Sequence, residues 1–199
     1  YMDMRTGLWS FGNPEYGTVG TGIAAMARHY GVPCVGFCIC DSCDTDQQTS
    51  YEKALKLYNY ALSGIALSWD IGGMAGFNFV TWPEMVLENE IASFIGQYLK
   101  GIRVDEARMA VDEILEVGPL PGSYLNRRHT RDWYRKEFLI PKLSNRDFFE
   151  SWERGHTELQ EKAKHKAAKI LETQESPVKP EIQKEIDDYL DFVVKRDVG

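Results

Sequence analysis

Three groups of residues in this chain have types and spacings that could do chemistry: the thiols of Cys38-x-Cys40-x-x-Cys43, the rings of Trp69, Phe77, Phe79 and Trp82, and the Asp3-x-Arg5 pair. Thiolates in a short loop can hold zinc, with a fourth ligand from Cys34, Asp41, Asp44 or a distant histidine. Cysteines inside a strand would instead be packing residues, and an exposed Cys43 a reactive thiol. Clustered aromatic faces hold a desolvated cation at about 1 to 2 kcal/mol per contact, or else plug apolar space beneath a helix. Arg5 can receive a carboxylate through paired hydrogen bonds, or close on Asp3 in a buried pair that holds a loop.

Such residues need elements to position them. Asn13-Pro14 starts a helix that runs to Tyr30 and closes at Gly31, and 32–39 is a short apolar strand. A loop over 41–46 leads to a second helix, residues 47–63, with Tyr51, Ala54, Leu55, Tyr58 and Leu62 at helical spacing and Gly64 behind it. Residues 65–69 form a second buried strand, followed by a loop with Gly72, Gly73 and Gly76 and a third helix from about 83 to 99. Alternation of this kind predicts βαβ units in a parallel sheet, with chemistry at the strand C-terminal ends, here 38–46 and 69–79. Beyond Gly101 the pattern becomes helical: 104–116, a turn across 118–122, then 127–137, 146–153, 158–173 and 181–194, with Ser176-Pro177 and Lys179-Pro180 at the last break.

The expected class is therefore α/β, with βα units over 1–101 and a helical extension over 102–199. Two strands and a third ending at Asp3 fall well short of the eight of a closed barrel, and open parallel edges are poorly stable alone. A C-terminal piece of a longer protein is expected, completed by a missing N-terminal segment or another chain. The 23 Lys and Arg against 30 Asp and Glu give a net charge of -7, which disfavours nucleic acid and anionic lipid as partners. No apolar run approaches the roughly 20 residues of a membrane span, and no secretory signal opens the chain, so a cytoplasmic location is expected.

Asp3-Met4-Arg5-Thr6-Gly7 with Gly12-Asn13-Pro14-Glu15 resembles the DMRTG…GxPE stretch of the corrinoid-dependent trimethylamine methyltransferase family. Asp41-Ser42-Cys43 and Asp46-x-Gln48-x-x-Tyr51-Glu52-Lys53-Ala54 are similar to its DSK…D.Q..YEKA segment, with Cys43 at the usual lysine. Glu84, Glu88 and Glu90 fit its E…D-E helix, and Gly118-Pro119, Gly122, Tyr124-Leu125 and His129-Thr130 its GPGG.(F/Y)L…HT segment. The resemblance covers nearly the whole chain and implies the C-terminal part of a TIM (β/α)8 barrel followed by a helical tail.

It further implies transfer of a methyl group from a methylated amine to the Co(I) of a corrinoid carried by a separate small protein. Trimethylamine-specific members carry pyrrolysine, which this sequence lacks, so the resemblance points to quaternary amines such as glycine betaine. A quaternary ammonium leaves as a neutral amine and needs no general acid; its charge fades in the transition state, so a carboxylate against it would favour the bound substrate instead. Aromatic faces suit that task, with Trp69, Asp70, Phe77 and Phe79 as the candidate pocket and Trp82 beside it. On the same resemblance Asp3, Arg5, Tyr124 and His129 are substrate-site candidates; His129 could contact a substrate carboxylate or the corrinoid partner, or be satisfied by a neighbouring backbone group. Trp69 replaces a histidine common before the family's strand-end aspartate, and Ser123 stands where relatives often carry His or Asn. The rival readings are a zinc-dependent methyltransferase on a similar barrel, using Cys38, Cys40 and Cys43, and a non-catalytic assembly module whose pocket is filled by its own side chains. The Glu/Lys-rich helix 158–173 leaves homo-oligomer formation open.

Overall fold

The computed structural model describes residues 1–119, 122–175 and 177–197. Asn13 enters α1 (Pro14–Tyr30) in extended conformation, Pro14 supplies a pre-set φ, and Gly31 ends the helix at φ 68°. β1 (Val35–Phe37) leads to α2 (Gln47–Ser63), where the Asp46 side chain accepts from the Thr49 N–H at 2.9 Å. β2 (Leu67–Trp69) runs parallel to β1, Val35 opposite Leu67 and Phe37 opposite Trp69, so the expected βαβ unit is present. Both strands are shorter than expected, though single bonds extend the ladder: Ala66 N–H to Cys34 O at 2.9 Å and Cys38 N–H to Trp69 O at 3.0 Å.

Two features differ from expectation. No parallel strand ends at Asp3; Met2 makes an isolated antiparallel bridge with Trp9, because the chain reverses at once through Gly7 (φ 73°), whose N–H donates to Asp3 O at 2.7 Å. The glycine-rich loop is ordered as a hairpin, β3 (Gly73–Met74) against β4 (Phe79–Val80), joined by a 3-10 turn over Ala75–Phe77. Thr81 then caps α3 (Trp82–Lys100). The segment 104–116 divides into α4 (Glu106–Met109) and α5 (Val111–Val117) because Ala110 adopts φ 47°. Residues 120 and 121 of the expected turn, and Ser176 of the expected break, lie outside the described residues. The remaining helices are α6 (Arg128–Glu137), α7 (Phe149–Arg154), α8 (Leu159–Thr173) and α9 (Pro180–Asp197). The described residues are thus mostly helical, with two two-stranded sheets. One compact unit covers Tyr1–Ala167 and a second starts at Ala168. Among the described residues no helix is long and apolar enough to cross a membrane.

The sheet has one covered face. A Cβ on Gly36 would lie 2.5 Å from the Tyr60 ring, so α2 sits flush on that side, and only glycine permits the approach. On the other face Val35, Phe37, Leu67 and Trp69 are exposed. α2 itself buries a mainly polar face: Glu52, Lys53, Lys56, Tyr60 and Ser63. Its apolar residues Tyr51, Leu55, Tyr58 and Leu62 stay exposed, so periodicity locates this helix but not its buried side. The polar side is buried because it satisfies the strand exits: Lys56 Nζ donates to Ile39 O, and Glu52 Oε2 accepts the Asp41 N–H at 2.7 Å.

Glu90 ties α3 to the loop before α7. Its Oε1 accepts from the N–H groups of Lys142, Leu143 and Ser144 and from Ser144 Oγ, each at 3.1 Å, and the residue is 8% exposed. Burial pushes this carboxyl up, but the four donors outweigh it and hold the pKa below the ordinary 4.5. Glu90→Gln is expected to cost about 1 to 3 kcal/mol in urea unfolding. The folded pKa is depressed, so the wild-type contribution is complete above pH 4.5 and is lost as pH falls through the lower folded value. The stability difference between wild type and variant should accordingly shrink on acidification below pH 4.5; a constant difference there would contradict this role.

Candidate active site

The exits of β1 and β2 lie side by side, as parallel pairing requires. After β1 the chain buries Cys38, Ile39 and Cys40 completely. Asp41 then takes the Phe11 N–H on Oδ1 at 2.7 Å and pairs through Oδ2 with Ser10 Oγ. β2 ends at Trp69, 54% exposed, its ring edge-on to that of Phe37 at 6.0 Å and 75°. The two rings form a corner on the open face of the sheet. Next to it Asp70 holds φ 68°, with Oδ2 buried and without a hydrogen-bond partner, and burial pushes its pKa up.

The hairpin is tied across to the β1 exit. Ala75 N–H donates to Ser42 O and Gly76 N–H to Cys40 O, both at 2.9 Å. Trp9 O and the Phe11 ring lie within 4.0 Å of where a Gly76 Cβ would stand, so the N-terminal segment also reaches this hairpin. Among the described residues, four that are not glycine have positive φ in the left-handed region: Asp70, Ala75, Phe77 and Ala110. Three of the four fall within this one short segment. Such conformations cost roughly 1 to 3 kcal/mol each and persist where the surroundings over-determine them, as at ligand sites.

Strained, aromatic-bearing loops at the C-terminal ends of parallel strands are where α/β proteins place their chemistry, and the whole-chain comparison says which chemistry to consider. The family model described as trimethylamine methyltransferase (MTTB) matches residues 1–198. The chain belongs to the trimethylamine methyltransferase family. It is 34% identical over 197 residues to a glycine betaine methyltransferase of Desulfitobacterium hafniense strain Y51, an alignment covering 98% of this chain and 40% of that protein. It is 32% identical to trimethylamine methyltransferase MttB of Desulfitobacterium hafniense DCB-2, over 86% of this chain and 34% of the relative. With the MttB of Methanosarcina barkeri strain Fusaro the identity is 29%, over 96% of this chain and 39% of the relative. The chain thus spans well under half the length of these curated relatives.

Within this family member the expected site residues fall into three places. Trp69, Asp70, Phe77 and Phe79 share the β2 exit and its hairpin, all three rings exposed; Trp82 opens α3 and is exposed as well. Asp3 and Arg5 pair with each other, Nη2 to Oδ2 at 2.8 Å and Nε to Oδ1 at 3.1 Å, with the Arg5 side chain 89% exposed, so the pair that closes this turn is a surface one. Arg5 holds the Asp3 carboxyl down at about 2. Tyr124 precedes α6, and His129, in its first turn, has Nε2 at 2.8 Å from Ala107 O and its ring tilted against Trp133.

The thiols face separate partners. Cys38 Sγ faces Glu88, Cys40 Sγ faces Thr49, and Cys43 is exposed. No cluster of three or more His, Cys, Asp or Glu able to hold a metal ion occurs among the described residues. Burial pushes the Cys38 and Cys40 thiols up.

Sequence reasoning missed Phe37 as the partner of Trp69, and it missed the buried ions beneath the site. Lys53, Glu84 and Glu88 are 0%, 1% and 2% exposed; Lys53 Nζ pairs with Glu88 Oε1 and lies 3.5 Å from Glu84 Oε1. Glu84 and Glu88 are four apart on α3, so their shared face was readable, but nothing local pointed to Lys53 across from them.

Proposed function

We propose that the full-length protein moves a methyl group from a quaternary amine to the cobalt of a corrinoid carried by a small partner protein. The observation that carries this reading is the exposed Phe37–Trp69 corner at the exits of a parallel βαβ unit, in a family whose relatives are named for trimethylamine and glycine betaine. In this reading residues 1–101 supply the last βα units of a TIM barrel and residues 102–199 a helical extension. The face carrying Val35, Phe37, Leu67 and Trp69 is then the barrel interior, closed by the rest of the chain.

The corrinoid supplies a strong cobalt nucleophile as methyl acceptor. In this reading the corrinoid would approach from the strand exits, where Trp69 and the 73–80 hairpin lie. The protein's own work is positional. Phe37 and Trp69 hold the cation by their π faces and exclude water from the transfer. No proton needs to be delivered to the departing amine. Aromatic faces in place of a carboxylate contact leave the bound cation less over-stabilised relative to the transition state.

The test supplies the full-length protein with a Co(I) corrinoid and a panel of tertiary and quaternary methylamines, following cobalt methylation by absorbance and the demethylated amine by mass spectrometry. Turnover of one quaternary amine is expected, with stoichiometric amine product. Silence across the panel from a folded protein would overturn the reading.

A further inference from the structure

We propose that Glu88, held by Lys53, is a positioning residue for the Asp70–Gly73 turn, an inference that rests on the reading of this turn as part of the methyl-donor site. Glu88 Oε2 accepts the Gly72 N–H at 2.7 Å. Its other oxygen, Oε1, pairs with Lys53 Nζ, so one carboxylate links α2, α3 and the backbone two residues past Asp70. The turn is pressed against α3: Gly72 has φ 83°, and a Cβ there would meet Met85 Cγ at 2.5 Å and Thr81 O at 3.1 Å. Cys38 Sγ lies 3.8 Å from Glu88 Oε1, and Glu84 Oε1 shares Lys53 at 3.5 Å.

Stability alone is a poor account of this trio. Two carboxylates and one ammonium are withdrawn from water, and Glu84 Oε2 is buried with no hydrogen-bond partner. Apolar side chains of similar volume would fill the same space as well or better. A carboxylate offers something they cannot, a charge-assisted bond to a backbone N–H, stronger than a neutral one and fixed in direction. That bond holds Gly72 where Asp70 must keep its left-handed conformation and Trp69 its place at the strand exit.

The experiment uses the full-length protein with Glu88→Gln and with the triple variant Lys53→Met/Glu84→Leu/Glu88→Leu, which makes the trio apolar. Hydrogen exchange of the peptide over 70–74 and the KM for the methyl donor are read alongside thermal unfolding. Glu88→Gln should speed exchange over 70–74 about tenfold and raise KM by a similar factor, with α2 and α3 peptides unchanged. The triple variant should recover thermal stability but not the exchange protection or the KM. Recovery of all three together, or unchanged exchange over 70–74 in Glu88→Gln, would overturn the positioning role. Exchange needs no substrate, so a wild type that turns over no amine would sink only the donor-site reading, and the exchange data would still decide whether Glu88 holds the turn.

Discussion

Lys53→Met is expected to lower folding stability by about 3 to 5 kcal/mol, because it strands two carboxylates in the interior while removing their shared cation. Glu84 and Glu88 are both almost fully buried, and burial already pushes both pKa values above the ordinary 4.5 although Lys53 pulls them down. Without Lys53 they rise further. A folded pKa above the unfolded one means that the folded state binds more protons between the two values. Stability of the variant therefore falls as pH rises from 4.5 through the raised folded values, and is recovered as both carboxyls become protonated in acid. Urea midpoints at about pH 5 and about pH 8 should separate in the variant far more than in wild type. Equal midpoints at the two pH values would show that the buried carboxylates are not what Lys53 compensates.

The elements that proved legible in the sequence carry strong local signals. Pro14 at the start of α1, the Asp46 cap of α2, and left-handed Gly31 and Gly64 at their ends set the bounds of these two helices. The parallel pairing of β1 and β2 followed from alternation alone, and so did the placement of Trp69 at a strand exit. The hairpin over residues 73–80 was not legible, because strands of two residues are too short to show a period of two, and its positive-φ Ala75 and Phe77 carry no turn signature. The buried face of α2 was not legible for a different reason: Lys53 and Lys56 are inside because strand-exit carbonyls and α3 carboxylates need partners, a demand made by residues distant in sequence. Phe37 escaped notice as a site residue because a ring in an apolar strand reads as core until the opposite face of the sheet is found covered by Tyr60.

Trp69→Ala is expected to weaken binding of a quaternary amine about thirtyfold, the loss of one desolvated cation–π face worth about 2 kcal/mol. Trp69→Phe should restore most of that affinity, since a π face remains, and Phe37→Leu should cost less than Trp69→Ala because it removes the smaller wall of the corner. Titration calorimetry on the full-length protein would order the three variants. Two controls separate recognition from folding. The urea midpoint of each variant, read alongside, shows whether a loss of affinity comes with a loss of folding, as it should for Lys53→Met. A quaternary ammonium also has no proton to lose, so wild-type affinity should stay flat with pH, whereas a site relying on the Asp70 carboxylate would lose affinity as that group is protonated. If Trp69→Ala bound the amine as tightly as wild type, the cation would have to sit elsewhere, and the exposed Phe77 and Phe79 of the adjoining hairpin would be the next walls to remove.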